Sequence, residues 1–376
     1  MAGVYVHIPF CKSFCSYCDF YSITDNSTKD ALVQALIREA SLRSRYLQGE
    51  KVDTIYFGGG TPSLLSADQT ESIISAIKEN FGVDDDPEIT VEANPDDVYE
   101  GYFSSLRAIG VNRVSLGVQS WDEKRLKYLG RRHTAIQSEN ALELIFREGI
   151  KNVSVDLIYG LPGMTVTDLR ADLDKTFTFP VPHLSAYHLT IEDGTRLGKM
   201  KKEGRLTETD EETSAAMFTL LGTRCREQGF IHYEISNFAL DGYISRHNSS
   251  YWRQVPYLGL GPSAHSFDRR SRQWNVSDVK KYIRSVNNGE VPFVREELDR
   301  LTIFNEYVMT SLRTMWGIDL SHVEAFYDKE LHDYLVNLSD KYIRYGLMKR
   351  EKNTLALTDQ GKMISDNIIA ELLTEL

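Results

Sequence analysis

The feature that most restricts the fold of this sequence is a regular alternation of short apolar runs and amphipathic segments through its first half. Val4–Ile8, Val52–Phe57, Glu88–Glu92, Arg113–Val118, Val153–Ile158 and His183–Thr190 read as strands. They are short, rich in β-branched and aromatic residues, and bounded by turn formers. Lys29–Tyr46, Asp68–Asn80, Asp97–Ile109, Asp122–Leu129, Thr134–Glu148 and Val166–Phe177 read as helices. In the first of these, Leu32, Ala35, Leu36, Ala40 and Leu42 recur at helical spacing. Strand and helix joined by short connections, about six times over, predict an α/β fold: a parallel sheet covered by helices, as in a partial (βα)6 TIM-like barrel. A doubly wound open sheet is the alternative, but no G-x-G-x-x-G runs directly into a helix.

The unusual residues cluster just after these strands. Gly58-Gly59-Gly60-Thr61-Pro62 follows the second, Glu92-Ala93-Asn94-Pro95 ends the third, Gln119 ends the fourth, and Gly160-Leu161-Pro162 follows the fifth. In a barrel this is the face where the strand-to-helix loops gather chemistry. The loop after the first strand belongs to the same face and carries three of the four cysteines, Cys11, Cys15 and Cys18, spaced C-x3-C-x2-C. Three thiolates so close can hold three corners of an iron–sulfur cube and leave the fourth iron open to a ligand. Two other readings stay open from spacing alone. One is a zinc site with His7 as the nearby fourth donor. The other is a disulfide plus a spare thiol, disfavoured where no secretory signal precedes the motif. A ligand bearing an amine and a carboxylate would suit an open iron. The glycine turn offers it bare backbone, Glu92 an acceptor, Gln119 and Asp156 groups that read hydroxyls, and Arg131 a carboxylate partner.

At 376 residues the chain is long enough for one large domain and a smaller one. The expected divisions are 1–195, 196–290 and 291–376. Lys199–Glu212 reads as a charged loop, Glu212–Gln228 as a helix, and Ile231–Ile235 as a further strand. The last segment reads as mostly helical with a β-hairpin, close to a winged helix. A net charge of −11 repels phosphate backbones, so nucleic acid is not an expected partner. No apolar run reaches the roughly 20 residues of a membrane span. With no targeting peptide apparent, a cytoplasmic protein is expected, in at most peripheral contact with a membrane. Cys225, alone in a helical pattern, reads as a small packed residue.

Taken together, these residues resemble the radical S-adenosylmethionine superfamily, in the subfamily of oxygen-independent coproporphyrinogen III oxidase. The resemblance is carried by Tyr5-x-His7-Ile8-Pro9-Phe10-Cys11-x3-Cys15-x2-Cys18, Gly58-Gly59-Gly60-Thr61-Pro62, Glu92-x2-Pro95, Gly117-Val118-Gln119 and Asp156-Leu157-Ile158-Tyr159-Gly160-Leu161-Pro162. It implies the superfamily's partial (βα)6 barrel over 1–195 and a 4Fe–4S cluster on Cys11, Cys15 and Cys18. It also implies S-adenosylmethionine on the open iron, met by Tyr5, Tyr17, Gly59, Gly60, Thr61, Glu92, Gln119, Arg131 and Asp156. In such proteins a reduced cluster can cleave the sulfonium to a 5′-deoxyadenosyl radical.

Two departures separate this sequence from the oxidases. Phe20 stands where they carry a fourth cysteine, and only four residues precede Tyr5. Both departures match the haem-chaperone sister group, HemW, whose mark is His-Asn-x-x-Tyr-Trp, here His247-Asn248-Ser249-Ser250-Tyr251-Trp252. That resemblance implies haem bound through His247, with Tyr251 and Trp252 offering flat faces to the porphyrin. His265 is a second candidate ligand, and His188 and Cys225 are further ones. It also implies haem-dependent apoproteins as partners, respiratory ones among them, and a homodimer. The enzymatic alternative is a coproporphyrinogen III dehydrogenase.

Overall fold

The computed structural model describes residues 1–374. Six strands, β1 (Ala2–Ile8), β2 (Val52–Gly59), β3 (Val83–Ala93), β4 (Arg113–Gln119), β5 (Asn152–Tyr159) and β6 (His183–His188), lie side by side in chain order. Every neighbouring pair among them is parallel. Between them run α1 (Lys29–Leu42), α2 (Ala67–Asn80), α3 (Tyr102–Ala108), α4 (Glu123–Tyr128), α5 (Ala135–Arg147) and α6 (Val166–Thr176). The helix starts follow local chemistry. Ser66, Thr134 and Thr165 each accept from the backbone N–H three residues on, and Gln69, Gln137 and Asp168 reach back to the cap.

Alternation along the strands makes the interior. Val114, Leu116 and Val118 of β4, Val155 and Leu157 of β5, and Leu184 and Ala186 of β6 are buried in the apolar core. The residues between them, Ser115, Gly117 and Gln119, then Asp156 and Ile158, then Ser185 and Tyr187, line a cavity instead. The strands are therefore buried on both faces, as parallel strands under helices are, but one face is polar.

The second half widens the sheet at both edges. It adds α7 (Arg196–Lys202), α8 (Glu211–Glu227), β7 (Ile231–Glu234), β8 (Asn237–Ala239), α9 (Arg246–Trp252), β9 (Tyr257–Leu260), β10 (His265–Phe267), β11 (Ser271–Asn275), α10 (Val279–Asn287) and β12 (Phe293–Glu297). β8 pairs antiparallel with β6 and carries β7, while β9 pairs parallel with β1 and carries β10, β11 and β12. The sheet thus reaches twelve strands. The last part holds α11 (Arg300–Leu312), β13 (Ile318–Asp319), α12 (Leu320–Phe326), α13 (Lys329–Arg344), β14 (Met348–Glu351), β15 (Thr354–Leu357), α14 (Asp359–Met363) and α15 (Ser365–Leu372). Its three-stranded sheet and helices enclose a separate core around Phe304, Val308, Leu335, Leu355 and Ile368.

Two local expectations are corrected. The charged stretch read as a loop from Lys199 is helical as far as Lys202, because the Thr195 hydroxyl caps the Gly198 N–H and Leu197 is buried. The helix expected over Asp97–Ile109 starts only at Tyr102, after Gly101 at φ +85°. No helix among the described residues is long and apolar enough to cross a membrane.

Candidate functional site

The polar face of the six strands and the cysteine loop enclose a cavity of about 510 Å³ at the carboxyl ends of the strands. Cys11, Cys15 and Cys18 all lie on its wall as free thiols. The Thr61 hydroxyl donates to Cys11 Sγ at 3.5 Å, and Arg131 Nη1 donates to Cys15 Sγ at the same distance. Burial pushes the Cys11 thiol up and the Cys18 thiol up to about 11. Among the described residues no three His, Cys, Asp or Glu side chains converge as the ligands of one ion would. His7, the zinc alternative's fourth donor, is bonded through Nε2 to the Tyr21 carbonyl at 2.9 Å and through Nδ1 to the Tyr5 hydroxyl.

The glycine turn is shaped by close approach. A Cβ on Gly59, at φ +106°, would lie 2.6 Å from the His7 ring, and one on Gly60 would lie 2.8 Å from the Phe10 carbonyl oxygen. Only glycine fits there, and it leaves bare backbone on the cavity wall. Thr61, next in line, is buried.

Opposite stand the strand-end polar groups. Glu92 ends β3 with Oε1 accepting from the Tyr56 hydroxyl at 2.8 Å. Burial raises its carboxyl to about 7, opposed by the Tyr56 bond and reinforced by the nearby Asp156 charge. Asp156 accepts from Ser115 at 2.9 Å and from Ser154 at 3.1 Å, which hold its carboxylate in place while burial pushes its pKa up. Gln119 adopts φ +67°, a conformation uncommon outside glycine, where β4 leaves the sheet. The Arg131 fork donates to the Gly117 carbonyl at 2.9 Å and to Asn94 as well as to Cys15, so it joins the cysteine loop to the ends of β3 and β4.

Of the nine residues expected around S-adenosylmethionine, Tyr17, Gly59, Gly60, Thr61, Glu92, Gln119, Arg131 and Asp156 line this one cavity, and Tyr5 does not. Tyr5 stands behind the wall with its ring stacked on Tyr56 at 6.1 Å. Tyr56, Ser115, Ser185 and Asn248 also line it and were missed. Strand alternation could have found Ser115, which shares a face of β4 with Gln119, whereas Ser185 is brought beside Asp156 by the register of β5 and β6. Phe14 (62% exposed) and Phe20 (66%) of the cysteine loop also line the cavity, with Lys12 paired to Asp97 and Arg132 lying 3.4 Å from Asp96.

His247, expected as the haem ligand, lies deep in the fold. It is 1% exposed, inside the barrel on α9. Its Nδ1 is 2.8 Å from the Thr54 hydroxyl and its Nε2 2.8 Å from the Tyr251 hydroxyl. With both ring nitrogens engaged and no exposed face, it offers no free lone pair to a porphyrin iron in this conformation. His265 is exposed and stacks on Trp274, His188 bonds the Ser214 hydroxyl at 3.0 Å, and Cys225 is fully buried.

Comparison with known proteins adds a consistent set of likenesses. Residues 5–176 match the Radical SAM superfamily model and residues 298–364 the HemN C-terminal domain model. The chain is 32% identical to a Lactococcus lactis protein named heme chaperone HemW, over 99% of this chain and 97% of that one. It is 33% identical to the heme chaperone HemW of Mycobacterium tuberculosis, over 99% and 94%. Among solved structures, coproporphyrinogen III oxidase (HemN) from Escherichia coli superimposes with a TM-score of 0.85 at 23% identity, covering 100% of this chain and 90% of that one.

Proposed function

The chain belongs to the radical SAM superfamily and, within it, to the heme chaperone HemW family; from that premise we propose that it binds haem and hands it to haem-dependent apoproteins, respiratory enzymes among them, with a 4Fe–4S cluster and S-adenosylmethionine as resident cofactors. The likeness to the oxidase structure, at 23% identity, is one of fold and carries no activity with it.

The chemistry of the donor set fits both cofactors. Cys11, Cys15 and Cys18 would hold the cluster, each thiolate taking one iron, an arrangement that does not need the three sulfurs to converge on a point. Thr61 and Arg131 already donate to two of these sulfurs, and hydrogen bonds to cluster sulfurs tune such a site. The glycine cradle, Glu92, Gln119, Asp156 and Tyr17 would hold S-adenosylmethionine. When bound, the pair supplies one-electron cleavage of a sulfonium. The protein's own residues orient the ligand and exclude water.

The observation that carries the haem reading is the cavity mouth. Phe14 and Phe20 expose large rings together on one cavity, where isolated exposed aromatics would need no explanation. Flat apolar faces suit a porphyrin plane, and Lys12 and Arg132, paired here with Asp97 and Asp96, would exchange those partners for its propionates. A cavity of about 510 Å³ is of the size that takes one small ligand. With cofactor inside, haem is left the rim. The same reading places the protein in the cytoplasm, meeting respiratory clients at the membrane surface.

The test is transfer. Haem-loaded protein mixed with an apo-haemoprotein should lose its Soret absorbance as the acceptor gains its own, faster than free haem at equal concentration delivers it. Protoporphyrinogen formed from coproporphyrinogen III under anaerobic reducing conditions, with no transfer, overturns the reading in favour of an oxidase.

A further inference from the structure

We propose that His247 is a positioning residue of the S-adenosylmethionine site, and that α9, which carries it, forms the floor of the cofactor cavity. The inference rests on the reading that S-adenosylmethionine occupies that cavity.

The helix is inserted under the barrel. Its N-terminus is capped from β3, where the two oxygens of Glu88 accept the backbone N–H groups of Arg246 and His247, each at 2.9 Å. Ser245 completes the cap by accepting the Asn248 N–H. The next side chains point into the barrel. Asn248 reaches the cavity wall, and the His247 ring packs so closely on β1 that a Cβ on Gly3 would lie 3.3 Å from it. The far end is anchored to the C-terminal part of the chain. Arg253 lies over the Trp316 ring at 3.9 Å, and Arg313 over the Trp252 ring at 5.7 Å.

From that fixed helix a chain of contacts leads to the site. The His247 and Tyr56 rings stack at 4.9 Å and 22°. Tyr5 stacks on Tyr56 at 26°, so the Tyr56 ring is held by both neighbours. Its hydroxyl is thereby fixed, and it donates to Glu92 Oε1 at 2.8 Å. That bond occupies one carboxylate oxygen and sets the direction of the other. His247 itself is locked by hydroxyls on both nitrogens, and a hydroxyl can donate or accept, so either tautomer is satisfied. Burial lowers its pKa to about 3, which keeps the ring neutral and its stacking constant. The arrangement also accounts for Tyr5, which acts on the ligand through Tyr56. A haem ligand would need the opposite features: exposure and a free nitrogen.

The experiment compares wild type, His247→Gln, Tyr56→Phe and the double variant after cluster reconstitution. S-adenosylmethionine affinity is read by equilibrium dialysis, and the ligand-induced change in the EPR spectrum of the reduced cluster is recorded. A haem titration followed at the Soret band runs on the same preparations. Tyr56→Phe keeps the ring and its packing and removes only the hydroxyl, so it remains informative if His247→Gln folds poorly. Each single variant should weaken S-adenosylmethionine roughly tenfold, the order expected for one buried hydrogen bond to a charged group. The double variant should lose less than the two effects combined, because both act through one contact chain. Haem titrations should match wild type. Unchanged S-adenosylmethionine affinity and EPR response in both single variants overturns the proposal. So does loss of the Soret response in His247→Gln with S-adenosylmethionine binding intact. Wild type that binds no S-adenosylmethionine overturns the underlying reading of the cavity as well, and is thereby told apart from failure of the positioning role alone.

Discussion

Asn275 on β11 donates a 2.8 Å hydrogen bond to the buried Oε1 of Glu39 on α1, across 236 residues of sequence. The other oxygen, Oε2, accepts from the Gly261 N–H at 2.8 Å and from the Tyr282 hydroxyl, and Arg43 lies one turn along the helix. A carboxylate in the first covering helix is thus the common acceptor for three separate elements of the second half. Its donors seat β9, β11 and α10 on the β1 edge of the barrel.

Removing that acceptor should be costly. Glu39→Ala leaves the Asn275, Gly261 and Tyr282 donors without this acceptor, and the buried charge of Arg43 with only the Gln273 amide oxygen, inside the core. The expected loss is about 3 kcal/mol, the order seen when one member of a buried charged network is deleted. Urea unfolding should show a lower midpoint in Glu39→Ala, with Glu39→Gln falling between it and wild type. Equal midpoints for Glu39→Ala and wild type would mean the network does not hold the two halves together.

Ligand binding should depend on pH through Glu92. Its folded pKa is raised, to about 7, chiefly by burial. The sign follows directly. Without ligand, the protonated form is favoured in the fold, so this group's contribution to stability is present at low pH and is lost as pH rises towards 7. An α-amino group that donates to Glu92 favours the ionised carboxylate as acceptor, so binding releases the proton below that pH. S-adenosylmethionine affinity should therefore rise between pH 5.5 and 7, by at most tenfold per unit for one proton, and level off above. Asp156 faces the same space, with its pKa also raised, and Tyr56 supplies the opposing hydrogen bond. Dialysis at several pH values should show this slope in wild type and a flatter one in Glu92→Gln. An equal slope in both assigns the titration to another group.

The barrel and its site were legible because both follow from local rules. Period-two strands with glycine and polar residues at their ends put Gly59, Glu92, Gln119 and Asp156 on one face before any contact was known. What sequence could not supply was the partner of α9. His247, Tyr251 and Trp252 read as a haem platform through the family resemblance alone, since a histidine beside aromatics more often packs than ligates. Glu88 and Thr54, about 160 and 190 residues away, bind the helix N-terminus and the imidazole, and neither contact is readable from local sequence. The rim aromatics were hidden for the opposite reason. Phe14 and Phe20 sit among the cysteines, where the eye goes to sulfur, and nothing local says that their rings stay in solvent.

Those rings give a separable prediction. If the cavity mouth holds haem, Phe14→Ala and Phe20→Ala should each weaken haem binding roughly tenfold or more, the scale of one aromatic face covered by a ligand. Both side chains are exposed, so folding should be unaffected. Soret titration measures the loss, and unchanged S-adenosylmethionine dialysis separates it from damage to the cavity. Haem affinity equal to wild type in the Phe14→Ala/Phe20→Ala double variant would place the porphyrin elsewhere.

The cysteine loop can be tested apart from either ligand. Cys15 is the thiol that Arg131 approaches at 3.5 Å, and the same guanidinium also bonds Gly117 and Asn94. Cys15→Ser would remove a cluster ligand and leave the guanidinium its two strand-end acceptors. The protein should therefore stay folded while reconstitution fails, seen as loss of the iron–sulfur absorbance near ~400 nm. Arg131→Lys keeps the charge but lacks the planar fork, so it cannot meet the sulfur, the carbonyl and the amide oxygen together. Its cluster should form but with a shifted reduction potential, since hydrogen bonding to cluster sulfur is one of the determinants of that potential. Full iron content in Cys15→Ser, or a potential unchanged in Arg131→Lys, would remove the corresponding residue from the cluster's surroundings.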